Sequence, residues 1–227
     1  ENADTAERED LAVCQDTGMA VFFVRLGQDA HVTGGLLADA IDEGVRIGYA
    51  ECGWRASVLD PLTRVNTKDN TPAIVHLEIV AGDGLTLDFL PKGFGSENMS
   101  RLFMLTPSAG TGGVEDSIVE AVRLAGANPC PPVIVGVGIG GTAEKAMETA
   151  KCQLLRPVGT PADDPELAAL ERRCLERINA LGIGAQGFGG DTTALAVHCG
   201  KFPTHIASLP VAVNIQCNAM RLGHAEL

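Results

Sequence analysis

Residues 133–142 read VIVGVGIGGT: three apolar residues of strand character, then Gly136, Gly138, Gly140 and Gly141 set among Val137, Ile139 and Thr142. Ala146, Ala150 and Leu154 follow at four-residue spacing, which places a helix directly after the glycines. A strand, G-x-G-x-x-G and a helix in that order match a dinucleotide site, where backbone N–H groups at the helix N-terminus hold a pyrophosphate. The second half of that motif is missing. About twenty residues on, where an acid should close a second buried strand, stands Pro157 to Asp164, PVGTPADD, a loop. The stretch therefore argues against a doubly wound nucleotide fold, and a nucleotide-binding oxidoreductase using Gly136–Gly141 is the lesser reading.

On the N-terminal side, Met19 to Leu26 (MAVFFVRL) lies between Gly18 and Gly27 and predicts a buried strand. Leu37, Ile41 and Val45 predict a helix from about Gly35 to Tyr49, and Arg55 to Asn70 has neither period and reads as a long loop. Ala73 to Val80 alternates, with Val75, Leu77 and Ile79 on one face; Gly82-Asp83-Gly84 then leads into Leu85, Leu87 and Phe89, which predicts an antiparallel hairpin. A strand at Arg101 to Leu105 precedes a helix through Val114, Ile118 and Val122. On the C-terminal side, Asp164 as N-cap and Pro165 open a helix that Gly182 ends, and strands follow at Ala194 to Cys199 and Ile206 to Cys217. Together these elements predict a single mixed α+β domain over residues 1–227, with antiparallel hairpins and about four helices.

Composition narrows the function classes. Apolar residues make up 45% of the 227-residue chain, yet Gly, Pro or charge interrupts every apolar run before it could span a membrane. A net charge of −12 argues against a nucleic-acid partner and means that an anionic substrate must find a local basic pocket. Seven widely spaced cysteines, an odd number in a chain too large to need disulfide staples, suit a reducing cytoplasm.

Cys14-Gln15-Asp16-Thr17-Gly18, CQDTG, sets a soft metal ligand and a carboxylate at a strand entrance. Taken alone it reads more readily as a small buried thiol beside an ordinary Asp-Thr-Gly turn. Cys130, between prolines in NPCPP, and Cys217, before Asn218, also stand at strand boundaries, whereas Cys152 falls on a helix and Cys174 sits in an apolar helical stripe with Leu167, Leu170, Ile178 and Leu181, which predicts a core residue. Pro91 to Ser100, PKGFGSENMS, is a glycine-rich loop with donors at Lys92, Ser96 and Asn98.

Through CQDTG, RVNTKDNTPA, PKGFGSENMS, NPCPP, GVGIGGT and LPVAVNIQC, the chain resembles the α subunit or N-terminal domain of class I iron–sulfur fumarate hydratases, with L-tartrate dehydratase and mesaconase as relatives. The resemblance implies a [4Fe–4S] cluster held by Cys14, Cys130 and Cys217, with one iron left without a protein ligand. It implies substrate-binding roles for Gln15, Arg55 and Gly95, and proton transfer by Asp16 and His205. The implied reaction is reversible hydration of fumarate to (S)-malate by an α2β2 assembly, inactive without a β subunit; tartrate dehydratase and mesaconase α subunits are the alternatives. It also implies a helical segment before Cys14, of which Glu1 to Val13 would be the remainder. No segment resembles the family's second half, and Asp191-Thr192-Thr193 lacks the arginine that follows the threonines there.

Overall fold

The polar segment ahead of CQDTG is helical over α1 (Asn2–Arg8), with Asp4 in its first turn and Arg8 in its last, the charge order that favours the helix dipole. The computed structural model describes Asn2 to Leu227. Its contacts gather in two compact units, one running to Phe94 and taking in Arg221–Leu227, the other comprising Gly95–Met220.

The first unit is built on β1 (Met19–Gly27). β2 (Ile74–Val80) lies parallel on one side of it and β3 (Leu85–Lys92) antiparallel on the other, with β8 (Gly223–Glu226) outside β3. The expected hairpin between 73–80 and 85–89 is therefore split, because β1 lies between its two arms. Val24 aligns with both Leu77 and Leu87. The connecting turn passes over the end of β1, where Gly27 N–H donates to Gly84 O at 2.8 Å and Asp29 N–H to Gly82 O at 2.9 Å. A Cβ at Gly27 would stand 2.4 Å from Gly82 O, so only glycine admits that crossing. The cause is burial: β1 hides Ala20, Val21, Phe23 and Val24 and belongs in the middle of the sheet, while β2 leaves Leu77 54% exposed at its edge. Helix α2 (Leu37–Glu51) then sets Val45 and Tyr49 against Ala20, with Phe22 stacked on Phe89 at 4.9 Å between centroids.

The second unit is a sheet in the order β4-β7-β5-β6, from Arg101–Leu105, Leu209–Gln216, Val133–Gly140 and Ala194–Phe202. β5 runs parallel to β6 and antiparallel to β7. Successive side chains of a strand point to opposite faces. Val133, Val135, Val137, Val211, Val213 and Ile215 pack under α4 (Gly110–Ala125) and α6 (Pro165–Asn179), while Ala212 meets Ala146 and Ala150 of α5 (Ala143–Cys152) on the other face. As expected, Asp164 caps α6 through Glu166 N–H at 2.9 Å, with Pro165 at the first position.

The helices predicted from periodicity are α2, α4, α5 and α6, so the mixed α+β reading holds; α1 and the one-turn α3 (Phe94–Glu97) are additional. Gly136, Gly138 and Gly140 lie within β5. A Cβ at Gly136 would stand 2.1 Å from Ala150 O, and one at Gly138 2.0 Å from Ala146 O. They let a helix lie directly on a strand. Among the described residues no helix is long and apolar enough to cross a membrane.

Gly138→Ala should therefore lower stability by about 3 kcal/mol, because the obstacle is backbone and cannot swing aside. Gly44→Ala in α2, where nothing lies within 4 Å of the added methyl, should raise it by roughly 0.5–1 kcal/mol. Urea midpoints measured at constant m-value check both signs.

Candidate functional site

CQDTG is held by its own carboxylate. Oδ1 of Asp16 accepts the Gly18 N–H at 2.9 Å, an Asx turn, and Oδ2 accepts the Phe94 N–H at 2.7 Å. Gly18 has φ +74°, and a Cβ there would meet Pro91 C at 2.6 Å, so the motif's glycine allows the loop to lie against β3. The Asp16 N–H points at Cys14 Sγ at 3.4 Å, and that sulfur lies 3.6 Å from Gln15 Oε1. Thr17 Oγ1 donates to Arg55 O at 3.1 Å, which brings the start of the 55–70 loop beside the motif. The exposed Arg55 side chain donates to Ser57 Oγ at 3.4 Å, and among the described residues it forms no ion pair. Cys14, Gln15, Asp16 and Arg55 thus share one region of the first unit.

Two residues that the sequence reading missed complete this region. Arg221 donates from Nη2 to Asp16 O at 2.9 Å and lies over the Trp54 ring at 5.9 Å, while its buried Nε has no partner. Tyr49 donates from its hydroxyl to Gly18 O at 3.2 Å, and burial pushes the phenol up to about 12, with the Arg221 charge opposing and Asp16 adding. Their partners lie far off in sequence, so no local spacing marked them. Lys92, read as a donor offered by a glycine-rich loop, is instead buried at the end of β3, its Nζ donating to Gly93 O at 3.1 Å.

The second unit carries Gly95, Cys130, His205 and Cys217. Gly95 is exposed on α3, and a Cβ built there would lie 3.6 Å from Asn128 O, two residues before Cys130. Cys130 is exposed and has φ +55°, a left-handed conformation uncommon outside glycine that marks a constrained position. The neighbouring Pro131 O accepts the Gln186 N–H at 2.7 Å. Cys217 follows β7 and is half-buried, with Gln216 Nε2 donating to its sulfur at 3.8 Å. His205 is exposed; its Nδ1 faces the Ala207 N–H at 3.2 Å and must accept, which leaves Nε2 to carry the proton of the neutral ring.

Neither unit by itself gathers three His, Cys, Asp or Glu side chains into a metal site among the described residues. The donor chemistry nonetheless suits a thiolate-held group. Cys14 and Cys217 each receive an N–H on sulfur, and Cys130 is presented at a strained turn. Cys174 and Cys199 are core residues, as the helical position of Cys174 foretold: burial pushes Cys174 up to about 12 and Cys199 well above the ordinary thiol range.

Residues 1–226 match the family described as fumarate hydratase (Fumerase). The chain belongs to that family. A protein of Methanocaldococcus jannaschii provisionally named L(+)-tartrate dehydratase subunit alpha is 43% identical over 227 residues, covering 97% of this chain and 80% of the relative. L(+)-tartrate dehydratase subunit alpha of Escherichia coli K12 is 34% identical over 222 residues, covering 94% and 73%. For this member of the fumarate hydratase family, GxGxxG is a packing motif, as the crowding at Gly136 and Gly138 shows.

Native protein treated with a thiol reagent at about pH 8 should be labelled first at Cys52 and Cys130, the exposed cysteines, and at Cys174 and Cys199 only after unfolding. Raising the pH to about 10 should leave Cys174 unlabelled, since its thiol stays protonated until about 12. Peptide mapping by mass spectrometry reads the order.

Proposed function

We propose that this chain is the α subunit of a hydro-lyase that interconverts fumarate and (S)-malate, working with a β subunit as α2β2. The family match over residues 1–226 carries the reading. A second substrate, L(+)-tartrate, is favoured by the names of the relatives. Seven free thiols suit a cytoplasmic enzyme.

Cys14, Cys130 and Cys217 are the residues that would hold a [4Fe–4S] cluster, and N–H donors on two of these sulfurs support that role, because such bonds stabilise thiolate charge. When bound, the cluster supplies a Lewis-acidic iron. The Arg55 guanidinium and the backbone at Gly95 are the groups that would receive the carboxylates of a dicarboxylate, and Gln15, next to Cys14 in sequence, would orient the substrate. Dehydration removes the C3 proton, moves its electron pair into the new C2=C3 bond as the C2–O bond breaks, and releases hydroxide that leaves as water after taking a proton. His205 and the Asp16 carboxylate are the candidates matched to these two proton transfers. General acid–base help of this kind contributes about 10²–10⁴ in rate. Asp16 also anchors its loop, so its removal should disturb both proton transfer and the setting of Cys14.

The test is anaerobic reconstitution with iron and sulfide, then turnover of malate, fumarate, tartrate and citramalate with and without the β partner. Turnover is expected only with the partner; robust activity from this chain alone would overturn the two-part reading. Ser at Cys14, Cys130 or Cys217 should abolish iron loading while Cys174→Ser keeps it, and equal loss from Cys174→Ser would mean that the ligands are misassigned.

A further inference from the structure

Within the second unit the Gly95 turn is gripped by groups from distant parts of the chain. Glu97, the last residue of α3, accepts Lys151 Nζ of α5 on Oε1 at 2.5 Å and Asn214 Nδ2 of β7 on Oε2 at 3.0 Å. The same Asn214 Nδ2 reaches Ser100 Oγ at 2.9 Å. The ion pair is largely shielded, with side-chain exposures of 14% for Lys151 and 21% for Glu97, and Asn214 is wholly buried.

Two features argue that this grip places the turn rather than merely adding stability. First, Asn214 Oδ1 is buried without a partner. Such an acceptor destabilises, and an apolar side chain on β7 would avoid the loss. Second, α3 has only four residues, closed by Met99 N–H to Ser96 O at 3.1 Å and Ser100 N–H to Glu97 O at 3.0 Å. One turn of helix does not hold its shape unaided, because nucleation is unfavourable. The turn in turn abuts the loop of Cys130: a Cβ at Gly95 would lie 3.6 Å from Asn128 O, and Asn128 Nδ2 points at Met99 Sδ at 3.7 Å.

We infer that Glu97, held by Lys151 and Asn214, is a positioning residue that sets the Gly95 turn against the Cys130 loop and thereby sets the grip on a substrate carboxylate. The substrate half of this inference rests on the role proposed above for Gly95; the mechanical half does not. Because carboxylate binding at a backbone turn is shared by ground and transition states, its loss raises KM more than it lowers kcat.

The test uses the chain assembled with its β partner and three variants. Glu97→Gln keeps the shape and removes the charge. Lys151→Met breaks the same clamp from α5, and serves if Glu97→Gln fails to fold. Lys145→Met removes a pair on the same helix, with Glu148 at 3.1 Å, that lies outside the clamp. Amide hydrogen exchange across residues 94–100 should run about tenfold faster in the first two variants and at the wild-type rate in the third, as loss of one charged hydrogen bond implies. The KM for the dicarboxylate should rise about tenfold with a smaller fall in kcat. Wild-type exchange in a folded Glu97→Gln variant would overturn the clamp. A lowered melting temperature with unchanged KM would reduce it to a structural contact and overturn the positioning role. If wild-type protein turned over no dicarboxylate, the proposed function would fail, while the exchange result would still decide the clamp.

Discussion

Helix α5 lies on β5 with no room for a Cβ between them, and the second unit depends on that approach. Gly136 and Gly138 supply the space, and the small Ala146, Ala150 and Ala212 line the same face. Dispersion between closely packed atoms rewards such an approach, and any added volume must displace backbone. Because α5 sits so near the sheet, Lys151 at its end stands beside the strand that carries Asn214, and Glu97 can bridge both. A glycine pattern that resembles a nucleotide motif thus brings a helix to the place where its cation anchors a turn.

A comparable economy governs the first unit. β1 occupies the middle of its sheet because it is the strand with apolar residues on both faces, and its entrance is the CQDTG loop. The Asp16 carboxylate closes that loop onto Gly18 and ties it to Phe94, while Arg221 takes its backbone carbonyl. One charged side chain therefore fixes the position of Cys14, and Arg55 is drawn alongside through Thr17. Arg221 stacks over Trp54, which itself meets Tyr49 edge-on at 4.7 Å, so the polar loop rests on an aromatic base.

Much of this was legible in the residues. Four-residue spacing located α2, α4, α5 and α6, and the Asp164-Pro165 start of α6 was read to the residue because a cap is a local interaction. Cys174 was recognised as core from its place in an apolar helical stripe. Strand partners were less legible. Alternation in 74–80 and the glycines at 82 and 84 promised a hairpin, yet β1 came between, since alternation reports how many faces a strand buries and not which strand lies beside it. The glycines of 136–141 likewise matched half of a dinucleotide motif, yet Gly136 and Gly138 lie within β5, where they admit the helix that follows them.

The sequence by itself determined helices α2, α4, α5 and α6 and the strand candidates, because periodicity and capping are written in neighbouring residues, and its motifs carried the family resemblance that named the candidate residues Cys14, Gln15, Asp16, Arg55, Gly95, Cys130, His205 and Cys217. Tertiary structure alone decided that β1 splits the expected hairpin and that Lys92 is buried. It also decided that Arg221 and Tyr49 brace CQDTG and that Glu97 meets Lys151 and Asn214. The reason is physical: these are close approaches between groups up to 205 residues apart, and they are set by how apolar faces find cover and how buried polar groups find partners, which no single stretch of chain encodes.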